Sequence, residues 1–267
     1  MIRRPLGPHQ AWILSILGII VIFGLYAYQS YTIHLTAPDS TIMPTWSQFI
    51  EAFHRVTTLD TRTGKIPLLE DAQTTGLHLF YGMALSLISA LFIGLHMGAY
   101  EWVDRVLNWP FSFFQQIPPT VMIPVIYFFF AGTSYYVAMI FLGIVVPLAL
   151  SIRTSVREVP VELIDKSYIL GASSLEVLWR RIFRMILPQI IIQTRAQLSN
   201  ALIFLIAAEI SRSSAGFGHM IRHAAKRADF HVVFLYIAIL GIFGLVMSYL
   251  MKLALHMLCP WYVQETK

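Results

Sequence analysis

The sequence predicts an all-α membrane protein of about six transmembrane helices with a polar two-helix loop on the cytoplasmic side. Three observations carry that expectation. Hydrophobic residues make up 57% of the 267 and charged residues only 12%, with a mean hydropathy of +0.67. So little polar surface cannot coat a soluble globule, and a bilayer must act as the solvent. Apolar segments of about membrane-spanning length recur along the chain. Between two of them, Pro160 to Pro188 forms a long polar interruption.

Ala11 to Tyr28, uncharged and preceded by Arg3 and Arg4, is the first expected span. A secretory signal also starts with basic residues, but no small-residue cleavage site follows and Tyr26-Ala27-Tyr28-Gln29 reads as an interfacial edge, so a retained helix is expected. Gln29 to Leu69 is a polar connection assigned to the outer surface, with an amphipathic piece at Trp46 to Phe53. The second span, Thr75 to Tyr100, carries Gly82, Ala84, Ala90, Gly94 and Gly98, small residues that let helices approach closely in lipid. Phe111 to Phe130 is apolar but holds Pro118, Pro119 and Pro124, which predicts a kinked or interrupted helix. Tyr135 to Ser151 is the next span.

The polar interruption reads as two short helices at a bend. Pro160 suits a first helical position and Glu162 the first turn; Gly171 stops this helix. Ser173 and Glu176, three apart, form a reciprocal cap for the second. Leu175, Leu178, Trp179, Ile182 and Ile186 then make one apolar stripe, with Glu176, Arg180, Arg181 and Arg184 away from it. Such a pair has an apolar face for its own membrane helices and a charged face for another protein.

Ile190 to Ile210 returns through the membrane with Gln193, Gln197 and Asn200 on one face and Glu209 near the far end. Polar groups there either bond neighbouring helices or line the route of a polar solute, and the sequence leaves both open. Arg195 lies close enough to Pro188 to send its stem to the interface. Ser211 to His231 is basic: Arg212, Arg222, Lys226, Arg227 and three histidines face one acid, Asp229. Its Ser213-Ser214-Ala215-Gly216 turn and Gly218 either present backbone N–H groups to an anion or belong to a solvated loop that meets an acidic protein surface, and the sequence leaves both open. Val232 to Leu255 is the last span, and Cys259, with no partner for a disulfide, reads as an inert apolar group beside the interfacial Trp261.

Six spans put both termini on one side. Arg3, Arg4, Arg105, Arg153, Arg157, Lys166, Arg180, Arg181, Arg184, Lys252 and Lys267 share the side of the polar loop, against Arg55, Arg62, Lys65, Arg212, Arg222, Lys226 and Arg227 opposite, a bias that places the loop and both termini in the cytoplasm. No G-x-x-x-x-G-K-[ST] loop occurs, Gly64-Lys65 being followed by Ile66, and neither an H-E-x-x-H nor a G-x-S-x-G motif is present. Nothing marks a nucleic-acid site, a metal site or a catalytic centre.

Leu170-Gly171-Ala172-Ser173, the later Leu187-Pro188, and Ala207-Ala208-Glu209 followed by Gly216-Phe217-Gly218 resemble the membrane permeases of ABC-type importers, in the branch that imports nitrate, taurine, sulfonates or bicarbonate. The family's EAA triplet reads Asp165-Lys166-Ser167 here, and its first Leu-Pro reads Phe183-Arg184. The resemblance implies a type I ABC importer permease fold, with an N-terminal helix and outer connection in 1–70, a permease core in 71–260 containing a coupling loop at 159–187, and a tail at 261–267. It implies a bacterial inner-membrane subunit paired with a second, identical permease, two cytoplasmic ATPase subunits and an external substrate-binding protein. No cofactor is then expected in this chain, ATP and magnesium being bound by the partner ATPase, and the chain is no enzyme.

By the same resemblance, Asp165, Lys166, Ser167, Gly171, Ala172, Ser173 and Glu176 would couple to the ATPase, and Gln193, Gln197, Asn200, Glu209, Ser214 and Gly216 would line the pathway. The cargo implied is a small oxyanion. Alternatives are an importer of another small molecule, such as a pyrimidine precursor or an amide, or a self-sufficient channel or ion-driven carrier. A carrier of that last kind usually shows inverted repeats and acids at mid-membrane depth, and neither is visible here.

Overall fold

A computed structural model describes residues 8–36, 43–59 and 64–265. Arg3, Arg4, Arg62 and Lys267 of the charge count lie outside the described residues, as does the start of the N-terminal domain. The described chain is helical, with no strands: α1 (Pro8–Thr36), α2 (Trp46–Thr57), α3 (Pro67–Ala99), α4 (Glu101–Gln115), a 3₁₀ turn (Pro119–Met122), α5 (Ile123–Phe129), α6 (Thr133–Arg157), α7 (Val161–Ile169), α8 (Ser174–Glu176), a π-helical segment (Val177–Ile182), α9 (Phe183–Ala196), α10 (Leu198–Arg212), α11 (Phe217–Lys226), α12 (Phe230–Leu258) and α13 (Pro260–Glu265).

Two compact units form. One comprises the chain up to Pro67 together with Ile221–Ile237; the other comprises Leu68–Met220 with the chain from Ala238 onward. In the first unit, the amphipathic stretch expected around Trp46 is α2, whose first turn is closed by Thr45 N–H donating to Gln48 Oε1 at 2.8 Å. Tyr26 donates its hydroxyl to the Pro44 carbonyl at 2.7 Å, Phe23 stacks on Trp46, and Arg55 pairs with Asp229 at 2.8 Å. These contacts hold α2 to the end of α1 and to the turn before α12.

The second unit is built on α6, the most buried of the long helices. Ile140, Ile144, Leu148 and Ile152 recur every four residues and are fully buried. Between membrane helices the surroundings are as apolar as the side chains, so attraction comes from close packing rather than from water exclusion. Glycine supplies that closeness. A Cβ on Gly82 would lie 2.6 Å from Ile140, on Gly94 2.6 Å from the Ala149 carbonyl, and on Gly98 it would run into Val156. Gly82, Gly94 and Gly98 of the small-residue spacing read in the second span therefore form the seam between α3 and α6, whereas Ala84 lines a groove toward α9–α10 and α12.

Those pairings also fix direction. Because Gly82 meets Ile140 and Gly98 meets Val156, α3 and α6 run parallel, and the chain between them must return through the same thickness. That return is α4, the 3₁₀ turn and α5, interrupted where Pro118, Pro119 and Pro124 withhold backbone donors. Among the described residues five helices are long and apolar enough to span, and the broken Pro119–Phe129 region belongs to the sixth passage. Gly143 against Phe204, and Gln193 against Ser155, make α9–α10 antiparallel to α6. Leu202 against Gly244, and Arg195 against Ser248, make α12 antiparallel in turn.

Candidate functional site

The second unit carries functional candidates at opposite ends of its helices. At the C-terminal end of α6, the chain leaves the bundle through Glu158 to Pro160, α7 begins at Val161, and Pro160 serves as its cap residue rather than its first helical one. The helix closes at Gly171, whose φ of +83° turns the chain while Ala172 N–H reaches back to the Ser167 carbonyl at 3.2 Å. The reciprocal cap forms as read: Ser173 N–H donates to Glu176 Oε2 at 3.1 Å and Glu176 N–H donates to Ser173 Oγ at 3.4 Å.

The apolar stripe does not form as read. Val177–Ile182 is π-helical, its i→i+5 bonds widen the turn, and the inward positions become Val177, Leu178, Ile182 and Ile186. Leu175 is left 60% exposed and Trp179 faces partly outward. The second helix also does not end at the bend. Ser174–Arg212 is a helical run of 39 residues, made of α8, the π segment, α9 and α10, with Glu176, Arg180, Arg181 and Arg184 in its first part. At 1.5 Å per residue it reaches about 58 Å, against about 30 Å of hydrocarbon, so it is longer than one crossing needs.

At the tip of this extension, Ile169 is 85% exposed and Leu170 77%, beside exposed Asp165, Lys166, Gly171, Ser173 and Glu176. Ser167 faces the other way, buried with its hydroxyl on the Leu163 carbonyl at 2.9 Å, and Ala172 is half-buried. Behind the loop lies a cavity of about 390 Å³ lined by Tyr100, Glu101, Arg157, Tyr168, Ser174 and Leu178. Its wall includes a charge cluster that the sequence reading missed. Buried Asp104 on α4 accepts from Arg153 Nη2 at 2.7 Å and Arg157 Nη2 at 2.8 Å, and Arg157 also reaches Glu101 at 3.0 Å. The cluster pins the start of α4 to the end of α6, where the loop departs.

At the other end, Glu209 is completely buried. Its carboxylate accepts from Thr75 Oγ1 at 2.9 Å and from Gly218 N–H at 2.9 Å, with His78 Nδ1 at 3.5 Å. Thr75 Oγ1 in turn accepts from Phe217 N–H at 3.0 Å, and Asp71 Oδ1 from Gly216 N–H at 2.8 Å. The turn's N–H groups, which on one reading face an anion from water, are thus already taken by a hydroxyl and two carboxylates of the chain itself. Gly216 adopts φ +105°, and a Cβ there would lie 2.7 Å from the Glu209 carboxylate. Ser214 is exposed, while Ser213 accepts from Ala215 N–H at 3.2 Å and closes the turn. Asp71, Thr75 and His78 were missed, although their spacing of four and three places them on one helical face at the head of an apolar run.

The polar residues of the return span separate. Gln193 Nε2 donates to Ser155 Oγ at 2.8 Å and to the Ser151 carbonyl at 3.3 Å, joining α9 to α6. Gln197 and exposed Asn200 bond each other at 2.9 Å along one helix. Arg195, expected to extend to the interface, donates through Nε to Ser248 Oγ of α12 at 2.8 Å. Arg212 lies over the Tyr127 ring at 4.3 Å, and Tyr136 donates its hydroxyl to the Arg212 carbonyl at 3.2 Å.

A family model described as "Binding-protein-dependent transport system inner membrane component" matches residues 82–261. The chain belongs to this family. The match takes in α6, the extended loop, α9–α10 with Glu209, and α12. As a family member, it is a multi-pass inner-membrane protein with an ABC importer permease fold.

Among curated relatives, the taurine transport system permease protein TauC of Escherichia coli (strain K12) is 28% identical over 171 residues, covering 64% of this chain and 62% of TauC. A putative ABC transporter permease of Methanocaldococcus jannaschii is 29% identical, over 62% of this chain and 63% of that protein. The riboflavin transport system permease protein RibX of Chloroflexus aurantiacus is 27% identical over 60% of each. The match therefore spans less than two thirds of these relatives' length. Among solved structures, an inward-facing MetNI methionine ABC transporter superposes with a TM-score of 0.59 over 72% of this chain and 94% of that one, at 15% identity, and so shares the fold.

Proposed function

We propose that this chain is the membrane-spanning permease subunit of an ATP-driven, binding-protein-dependent importer, and that Val159 to Met185 is the handle gripped by a separate ATPase. One observation carries the reading. The helical run Ser174–Arg212 is 39 residues long, well beyond the ~20 that one crossing needs, and the loop at its start leaves Ile169, Leu170 and Leu175 exposed. ATP-driven closure of two ATPase subunits would push this loop as a lever, and the Asp104 cluster at its root would pass the movement to α4 and α6. Asp165, Lys166 and Gly171 would carry the coupling contacts, with Ser167 fixing α7 from within.

The pathway lies between this chain and a second copy, and the loop and both termini face the cytoplasm, as the charge bias indicates. The cargo is a small oxyanion, nitrate, bicarbonate or a sulfonate such as taurine, and the relative named for taurine transport favours the sulfonate. Glu209, Gly216 and Ser214 shape the outer end of the route, Glu209 by fixing the turn rather than by touching cargo. ATP and magnesium belong to the partner subunit.

The test has two parts. An ATPase encoded beside this chain should co-purify with it, and taurine or a related sulfonate should be taken up in an ATP-dependent manner only when both are present. Gly171→Val should then abolish uptake while membrane insertion is retained, because a β-branched residue at φ +83° is strained even in open space. Undiminished uptake by that variant would remove the loop as the lever.

A further inference from the structure

Arg195 is a cation within an apolar helical run and makes no ion pair among the described residues. No Asp or Glu occurs between Glu176 and Glu209, or between Asp229 and Glu265. Its Nε is held at 2.8 Å by Ser248 Oγ, which fixes the guanidinium against α12 and leaves the side chain exposed. Ser248, Lys252 and His256 follow at intervals of four on α12 and therefore share a face, and both Lys252 and His256 are exposed. Arg195 lies seven residues past Pro188, about 10 Å, and Lys252 lies six residues before the end of α12, about 9 Å. The two charges stand at similar distances from the coupling-loop ends of their helices. His256 is one turn nearer that end.

Directly beside this ladder is an apolar groove of about 360 Å³ between α3, α9–α10 and α12, bounded by Leu79, Met83, Leu198, Met247 and Met251. Thr194 and Met247, which line it, are sequence neighbours of the bonded pair Arg195 and Ser248. Leu250 opens outward from the same wall. A groove that accepts hydrocarbon, ending at cations that make no ion pair among the described residues, has the two-part chemistry of an anionic phospholipid: an acyl chain and a phosphate.

We propose that this groove and the Arg195–Lys252–His256 ladder form a binding site for an anionic phospholipid of the leaflet on the coupling-loop side. The acyl chain lies along Met83, Met247 and Met251, and the phosphate meets Arg195 and Lys252. The site bridges α9–α10, the helix that continues into the coupling loop, to α3 and α12, so its occupancy would stabilise the bundle at the point where the lever enters. This holds whatever solute is carried.

The test uses the full chain in detergent, titrated with dioleoyl phosphatidylglycerol and, separately, with dioleoyl phosphatidylcholine, with the thermal unfolding midpoint as readout. Phosphatidylglycerol should raise the midpoint saturably and phosphatidylcholine should not. Each cation removed should raise the half-saturating lipid concentration roughly fivefold, so Arg195→Gln with Lys252→Gln shifts it roughly twenty-five-fold. Ser248→Ala keeps both charges and should retain most of the response, which separates charge recognition from the structural bond. Lys252→Gln alone, at an exposed position, guards against a double variant that fails to fold. Met251→Trp, which fills the groove, should also abolish the response. An equal response in the charge variants, an equal effect of the two lipids, or disulfide linking of two copies through Met251→Cys would each overturn the proposal, the last by showing that a second copy covers this face.

Discussion

Replacing Gly216 by alanine tests the buried knot that closes the end of the second unit where α10 meets the start of α3. Two independent penalties apply. At φ +105° an L residue is strained by about 1–3 kcal/mol. The new Cβ would also sit 2.7 Å from Glu209 Oε1 and 2.8 Å from Cδ and Oε2. The carboxylate has nowhere to retreat, being held by Thr75 at 2.9 Å and by Gly218 N–H at 2.9 Å, while a Cβ at Gly218 would itself fall 2.6 Å from Glu209 Cβ. Relief therefore requires breaking at least one charge-assisted bond, worth about 1.5–3 kcal/mol. Together the loss is about 2.5–6 kcal/mol.

Gly171→Ala supplies the control, since Gly171 has φ +83° but nothing within 4 Å of its Cβ position, and only the strain remains. For a chain of this size about 1 kcal/mol corresponds to roughly 2–4 °C in unfolding midpoint. Followed by tryptophan fluorescence in detergent, Gly216→Ala should unfold well below Gly171→Ala. In a Glu209→Ala background the same substitution should cost only the strain, giving a coupling larger than about 1 kcal/mol. Equal midpoints for the two glycine variants, or strict additivity with Glu209→Ala, would refute the claim that the turn is packed on a fixed carboxylate.

Asp104→Asn should destabilise by an amount approaching the ~3–5 kcal/mol of a broken buried pair, because Arg153 loses its charged partner, whereas Glu101→Gln on the exposed edge should cost less than about 1 kcal/mol; unfolding midpoints at low and high salt check both. Gln193→Ala should lower stability by about 1 kcal/mol through loss of the Ser155 and Ser151 bonds and leave the uptake KM unchanged, while a changed KM at unaltered stability would move Gln193 from helix joint to pathway. Burial of Cys259 pushes its thiol above the ordinary value of 9.0, so N-ethylmaleimide should label the folded protein slowly, with the rise in rate displaced to higher pH, and label the unfolded chain rapidly; fast labelling at neutral pH would show that the end of α12 is open.

Local chemistry with a short range was readable from the chain: the reciprocal cap of Ser173 and Glu176, the stop at Gly171, the glycine spacing of α3 and the proline break after α4 each depend on residues a few positions apart. What was not readable has a common cause. The π segment shifts the inward face of the loop helix by changing the number of residues per turn, which a fixed 3.6-residue period cannot register. The Glu209 knot joins residues more than 130 apart, and the Asp104 cluster residues about 50 apart, so neither leaves a periodic trace.

The same long-range pairing reverses the meaning of the outer turn. Its glycines, which on one reading present free N–H groups to an anion, are needed because a buried carboxylate from the preceding helix occupies that space. A carboxylate so placed costs free energy unless every lone pair is met, and Thr75 and Gly218 meet it from two different elements. The knot thus fixes the C-terminal end of α10 to α3, while at the opposite end Asp104 fixes α4 to α6. A lever pushing on the loop beside the Asp104 cluster would then move helix pairs as bodies rather than bend single helices, and that is the property an alternating passage requires.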